Sequence, residues 1–229
     1  MYNKPQKMVA EFIGTFALIF MGAGSICMDQ FLKPGGGGVG WLGIAVAYGL
    51  AMAVMVTATG HISGGHLNPA VTIGFWVTRR ISTIEAILYW ASQLAGAAAA
   101  AYLLKILVPE DTWRAVGLGT PDLAHDLTRL TGMGIEAILT FFLVFVVFST
   151  AVDERGAFNK IAGFPIGLSI TMGVLMGGPL TGAALNPARA FGPALAAHHW
   201  ANHGVYWAGP LLGGVAAGWL YDSLYLKKV

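Results

Sequence analysis

Hydrophobic and polar positions divide this chain into long apolar runs with short polar punctuation. Six runs read as spanning helices, over residues 8–28, 41–60, 84–108, 132–152, 161–176 and 205–224. A helix needs about 20 apolar residues to cross a bilayer, and these runs are of that order. The punctuation is specific. Residues 29–40 hold Pro34 and a run of glycines, and 109–130 is the longest polar stretch, with Glu110, Asp111, Asp122 and Asp126. Asp153-Glu154-Arg155 marks a short polar loop. Two further apolar stretches are too short to cross. One is a loop at 61–68 followed by a half-helix at 69–78; the other is a loop plus half-helix within 177–197.

Both half-helices open on the same tripeptide, Asn68-Pro69-Ala70 and Asn186-Pro187-Ala188. Small-residue approaches precede them, Ser63-Gly64-Gly65-His66-Leu67 and Thr181-Gly182-Ala183-Ala184-Leu185. Asn is a good helix N-cap and Pro is favoured at the first helical position, so each copy ends a loop and begins a helix. One Asn-Pro usually just opens a turn. Two copies in matched context mark a pair of re-entrant segments. Non-helical backbone at membrane depth is tolerated only when buried in protein or lining a wet cavity, so the pattern implies a cavity.

The matched context extends through the chain. Ala10-Glu11-Phe12-Ile13-Gly14-Thr15-Phe16 aligns with Ile135-Glu136-Ala137-Ile138-Leu139-Thr140-Phe141, and Tyr48-Gly49-Leu50 with Ile166-Gly167-Leu168. Trp90-Ala91-Ser92-Gln93-Leu94-Ala95-Gly96 aligns with Trp207-Ala208-Gly209-Pro210-Leu211-Leu212-Gly213. Each half holds three spans and one half-helix. Three is odd, so the second half enters the bilayer from the opposite side. The expected architecture is one domain over 1–229, made of inverted repeats at about 1–110 and 130–229 joined by an outer loop. Such a layout with two broken helices places a solute site near the midplane.

Composition agrees. The 229 residues are 56% hydrophobic and 10% charged, against about 25% charged in soluble domains. The class is an all-α polytopic membrane protein. A net charge of +2 argues against a nucleic-acid partner, and the single cysteine, Cys27, excludes an intrachain disulfide and a cysteine metal cluster. The start of the chain, Lys4 and Lys7 before an apolar run, has the look of a signal peptide. The run is too long and lacks a small-residue cleavage site, so it reads as the first span. With the N-terminus inside, inner segments carry Lys4, Lys7, Arg79, Arg80, Arg155, Lys160, Lys227 and Lys228; outer segments carry Lys33, Lys105, Arg114 and Arg129. The inner excess places both termini in the cytoplasm, in a multi-pass cell-membrane protein.

These motifs together resemble the aquaporins of the major intrinsic protein family, over nearly the whole chain. The resemblance implies a right-handed bundle of six transmembrane helices plus two re-entrant half-helices, one pore per subunit, and a homotetramer in the lipid bilayer. It implies a passive channel with no cofactor and no metal. Each half-helix N-terminus carries about half a positive charge, and two of them facing one site disfavour cations there. Asn68 and Asn186 either only cap their helices or also donate to a passing solute oxygen, and a water oriented by both cannot relay a proton. Arg189 breaks the repeat symmetry, since its mate is Val71. It follows Asn186 by three residues, on the same helix face and about 4.5 Å outward. A charge at that depth reads as functional.

The family pattern gives Arg189 three partners in a selectivity filter: Tyr48, Val174 and Ala183. Strict water channels typically carry His at the position of Val174 and Phe at that of Tyr48. Glycerol facilitators typically follow the arginine with Asp, where this chain has Ala190. The set is closer to the plant nodulin-26-like branch, which has Trp in place of Tyr48, and the opening Gln6-Lys7-Met8-Val9-Ala10-Glu11-Phe12 resembles that branch too. This implies conduction of water and small neutral solutes: glycerol, with urea, ammonia and undissociated metalloid acids as further candidates. The alternative is a strict water channel. By the same resemblance Glu11 and Glu136 accept hydrogen bonds from the re-entrant loops, and His66 holds the first loop. A proton relay through the two carboxylates is the competing reading. His61 is placed at the inner mouth as a candidate pH gate. Small-xxx-small spacing at Gly96, Ala100, Gly209, Gly213 and Ala217 lets spans three and six pack closely.

A secondary transporter shares inverted repeats and broken helices. It needs ion ligands at the broken helices, and residues 61–68 and 181–186 hold no Asp or Glu. An enzyme has no support, since neither His-Glu-x-x-His nor Gly-x-Ser-x-Gly occurs.

Overall fold

The computed structural model describes residues 2–156 and 161–226, so Lys160, Lys227 and Lys228 of the inner charge count lie outside the described residues. The described chain is helical throughout. The order is α1 Lys4–Leu32, α2 Gly40–Ser63, the half-helix α3 Pro69–Val77, α4 Thr83–Leu107, a short α5 Glu110–Ala115, α6 Arg129–Val147, α7 Gly163–Thr181, the half-helix α8 Pro187–Ala197 and α9 Val205–Tyr221. Five of these, α1, α2, α4, α6 and α7, are long and apolar enough to cross a membrane. The sixth, α9, continues through a π turn over Asp222–Leu226, and α6 continues likewise over Phe148–Val152.

Helix starts follow the caps. α1 begins ahead of its apolar run because Asn3 and Gln6 form a capping box: Gln6 N–H donates to Asn3 Oδ1 at 3.0 Å and Asn3 N–H to Gln6 Oε1 at 2.9 Å. The ends differ from the sequence reading. α2 runs through His61 to Ser63, and α7 runs past Met176 and through Pro179 to Thr181, so both re-entrant loops are shorter than predicted. Gly177 and Gly178 are not breakers. A Cβ on Gly177 would lie 2.4 Å from Leu139, and one on Gly178 would lie 1.5 Å from the Trp41 ring, so both glycines serve close packing. The break comes at Gly182, in the left-handed region at φ 76, whose N–H closes the helix on the Gly178 carbonyl at 2.9 Å.

Helix pairs close on small residues, as expected where lipid tails are as apolar as leucine and contact depends on backbone approach. Span three packs on α1: a Cβ on Gly96 would lie 2.4 Å from the Phe12 carbonyl oxygen. Span six packs on α6 through Gly209 and Gly213 and on α3 through Gly214, where the distance to the Ala70 carbonyl would be 2.2 Å. Gly49 and Gly167 face each other's backbone between α2 and α7. Large apolar side chains such as Ile106 and Leu212 point outward, a solvent-facing pattern suited to lipid. Gly213→Ala is expected to cost about 1–3 kcal/mol by overpacking, since its Cβ would meet the Ala137 carbonyl oxygen at 2.2 Å. Gly213→Leu is expected to abolish folding, which size-exclusion of the detergent-solubilised variants reads directly.

On one face the ends of helices are tied together. Lys7 pairs with Glu85 at 2.6 Å, and Arg80 pairs with Asp222 at 2.7 Å. Arg155 grips Asp153 through Nε at 2.8 Å and Nη2 at 2.7 Å and also donates to the Tyr225 carbonyl, while Tyr221 donates to Asp153 at 3.1 Å. The Arg155 hydrogen bonds hold the Asp153 carboxyl well below the usual carboxylate range. A depressed folded value means that the stabilisation is complete above the ordinary value, 3.8, and is lost as pH falls through the folded one. The thermal midpoint of the wild type is expected to exceed that of Asp153→Asn at pH 7, with the gap closing only below about pH 4.

Candidate pore

The two re-entrant loops are built alike. Glu11, fully buried on α1, accepts from Ser63 Oγ at 2.7 Å, His66 N–H at 2.9 Å, Leu67 N–H at 2.7 Å and Gln93 Nε2 at 2.7 Å. Glu136, fully buried on α6, accepts from Thr181 Oγ1 at 2.6 Å, Ala184 N–H at 2.9 Å and Leu185 N–H at 2.8 Å. Tyr89 donates to the Ser63 carbonyl at 2.7 Å and Tyr206 to the Thr181 carbonyl at 2.8 Å. With both N–H neighbours fixed, Leu67 and Leu185 are held in the left-handed region, at φ 53 and 52. That strain persists only where surroundings over-determine it.

The left-handed residues deliver their carbonyls to the opposite half. Asn186 Nδ2 donates to the Leu67 carbonyl at 2.9 Å and Asn68 Nδ2 donates to the Leu185 carbonyl at 2.8 Å. Each Asn also caps its own helix, accepting from Ala70 N–H at 2.8 Å and Ala188 N–H at 2.9 Å. The half-helix N-termini therefore meet through a reciprocal pair of bonds. An amide nitrogen has two N–H groups, and this pairing engages one on each side. Pro69, Ala70, Pro187 and Ala188 form the first turns of the half-helices and are buried.

The halves differ around this junction. His66 Nδ1 lies 3.1 Å from Thr72 Oγ1, Gln93 also reaches Thr72 at 3.1 Å, and the His66 ring packs on Phe75 and Tyr89. The matching positions of the second half, Ala184, Ala190 and Pro210, carry no such groups; its polar group is Arg189. Tyr48, Val174, Ala183 and Arg189 are all buried. The Arg189 guanidinium carbon lies 4.9 Å from the Tyr48 ring centroid, and Gly22 leaves room for that ring, since a Cβ there would lie 2.1 Å from it. Val174 and Ala183 belong to the same buried cluster as Tyr48. Arg189 Nη1 donates to the Gly119 carbonyl at 2.8 Å, while Arg189 Nε and the Tyr48 hydroxyl have no partner among the described residues. His61 lies in the last turn of α2 rather than in a loop, lining a cavity of about 400 Å³ with Thr57, Gly60, Gly64 and Phe75. Its ring meets Tyr2 edge-on at 5.9 Å.

The 109–130 stretch, read as polar loop, supplies what sequence reasoning missed. A tight turn over Gly117–Gly119, all three residues at positive φ, aims the Gly119 carbonyl at Arg189. Three residues on, Asp122 Oδ1 accepts from Asn202 Nδ2 at 2.9 Å and Asp122 Oδ2 lies 2.9 Å from His199 Nε2. Burial by itself would raise the Asp122 carboxyl; donors from Asn202, His199 and the Leu123 N–H outweigh it and hold the group below the usual carboxylate range. Closely spaced glycines gave the turn a signal, but Asp122 and Asn202 lie far apart in sequence.

Residues 2–221 match the sequence profile of the family described as Major intrinsic protein. Aquaporin TIP4-4 of Zea mays is 45% identical over 97% of this chain and 88% of its own. A probable aquaporin TIP3-2 of Arabidopsis thaliana is 43% identical over 96% of this chain and 84% of its own. These relatives carry the TIP label, not that of the nodulin-26-like branch that the opening segment resembles. The X-ray structure of the aquaglyceroporin from Plasmodium falciparum superposes with a TM-score of 0.84, covering 97% of each chain at 24% identity.

Proposed function

The chain belongs to the major intrinsic protein family, whose members are multi-pass membrane channels and not enzymes, and on that premise we propose that it passively conducts water and small uncharged solutes, glycerol among them, while excluding protons and ions. Urea, ammonia and undissociated metalloid acids fall in the same class of solute. The observation that carries the reading is the pair of unspent polar groups beside the half-helix junction: Arg189 Nε and the Tyr48 hydroxyl, both buried. A buried donor without a partner is costly unless something else satisfies it, and a passing solute oxygen does so. Arg189 and the two helix N-termini together repel cations.

Val174 in the filter favours a wider passage with one apolar wall. A strict water channel is the second reading, favoured by the Tyr48 ring packed against Arg189. The transporter reading loses ground because Glu11 and Glu136 are engaged by loop donors. In the assembly we propose, one domain of inverted repeats at about 1–110 and 130–229 forms each pore of a homotetramer in the cell membrane. Both termini are cytoplasmic. The bonds of Lys7, Arg80 and Arg155 to other helix ends on one face support that orientation.

Paired stopped-flow on proteoliposomes tests this. An impermeant osmolyte is expected to give fast shrinking with low activation energy, and a glycerol gradient fast reswelling. Fast shrinking without reswelling would select the strict water channel, and a high activation energy would select a transporter cycle.

A further inference from the structure

We propose that Asp122, with His199 and Asn202, is a clasp that positions the filter arginine and so sets solute discrimination. This deepens, and rests on, the reading of Arg189 as the filter residue. The chain of contacts is continuous. Arg189 donates to the Gly119 carbonyl at 2.8 Å. Gly119 belongs to a turn of three left-handed residues pressed on α1, where a Cβ would lie 3.2 Å from Ala23. Pro121 then packs against Gly182 in the second re-entrant loop, 2.8 Å from where a Cβ would be.

Asp122 fastens this segment to the connection between α8 and α9. It holds His199 and Asn202 at 2.9 Å each, and Asn202 in turn accepts from Arg129 Nε at 3.0 Å. Just beyond, the Ala124 N–H donates to the Leu180 carbonyl at 2.8 Å, beside the start of the filter loop. The segment therefore has three attachments around the outer mouth: the arginine, the filter loop and the α8–α9 connection. The filter loop is held by a backbone bond and the arginine by its side chain on a backbone carbonyl. In the third attachment the segment's own group is a side chain, the Asp122 carboxylate, on which His199 and Asn202 converge.

Among the described residues Arg189 has a single side-chain hydrogen bond, and its acceptor is on this segment. Where the segment lies decides how far the guanidinium reaches across the pore. Releasing the clasp lets the Gly119 carbonyl move with the outer segment, and the arginine follows it away from Tyr48. The aperture then admits larger solutes more readily, with little change in water flux.

The test is the ratio of glycerol to water permeability in proteoliposomes, for wild type, Asp122→Ala, His199→Ala, the double variant and His199→Gln, with Arg189→Val alongside. Asp122→Ala is expected to raise the ratio by roughly threefold to fivefold, the scale of one ordinary net hydrogen bond. His199→Ala moves it in the same direction, and the double variant no further than Asp122→Ala alone. His199→Gln, which keeps an N–H donor, restores the wild-type ratio. A purely structural role would lower the yield of folded protein and leave the ratio unchanged. If Arg189→Val shifts the ratio while Asp122→Ala and His199→Ala leave it unchanged, the clasp is overturned and the filter reading stands. If Arg189→Val also leaves it unchanged, both fall.

Discussion

Arg189→Val is expected to raise the proton conductance of reconstituted protein by about two orders of magnitude while leaving water flux within a few-fold of wild type. Valine is the residue at the matching position of the first half, Val71, so the variant makes the two half-helices alike there. A unit charge about 5 Å from a permeating cation, at an effective dielectric near 20, repels it by ~3 kcal/mol. That corresponds to a factor of about 100 in rate. Water carries no net charge and loses only a donor. The measurement is quenching of a pH-sensitive dye inside proteoliposomes under a potassium-diffusion potential, set against osmotic shrinking of the same vesicles. Unchanged proton flux would mean that the half-helix junction supplies the whole barrier and that Arg189 serves the outer segment alone.

The conductance should stay far below that of an open pore, because the variant leaves Asn68 and Asn186 in place. Their bonds to Leu185 and Leu67 keep both helix N-termini aimed at one point. On the proposed reading the two barriers are separate along the path and act in series. Glycerol entry is expected to rise as well, since valine is smaller than arginine and releases the contact with the Tyr48 ring.

The sequence displays this architecture well because its signals are local and doubled. Apolar run lengths, the Asn-Pro-Ala copies and the paired glutamates each carry their meaning within a few residues, and each recurs. Helix ends were less legible. Gly177 and Gly178 look like breakers in one dimension and prove to be packing surfaces against Leu139 and Trp41. The 109–130 segment was least legible: its bonds run from Gly119 to Arg189 and from Asp122 to His199 and Asn202, across about 70 to 80 residues, and a polar side chain carries no mark of a distant partner. Gln93 was hidden for a related reason. Its repeat mate is Pro210, so the doubling that exposed Glu11 and Glu136 gave it no weight.

The paired glutamates yield the other large effect. Glu11→Gln and Glu136→Gln are each expected to leave a reduced but measurable fraction of folded protein in the membrane. Glutamine keeps the shape and turns one acceptor oxygen into a donor. At position 11 both oxygens already receive two donors: Ser63 and His66 on Oε1, Leu67 and Gln93 on Oε2. The amide nitrogen then faces the backbone N–H of His66 or of Leu67, whichever way it turns, while the Ser63 hydroxyl can rotate to accept and Gln93 can present its unpartnered oxygen. At position 136 the load is uneven, with Thr181 and Ala184 on one oxygen and only Leu185 on the other. The amide can turn its nitrogen toward Leu185 and strand one group. Each stranded buried donor costs about 1–3 kcal/mol, and each variant strands one backbone N–H. The stranded group matters for the pore, since the Leu185 carbonyl is the partner of Asn68. The yield of monodisperse protein after solubilisation, and water flux per folded molecule, read the two consequences separately. A Glu11→Gln protein that folds at wild-type yield but loses a pH dependence of flux shown by the wild type would point to a carboxylate that exchanges protons, and the transporter reading would return.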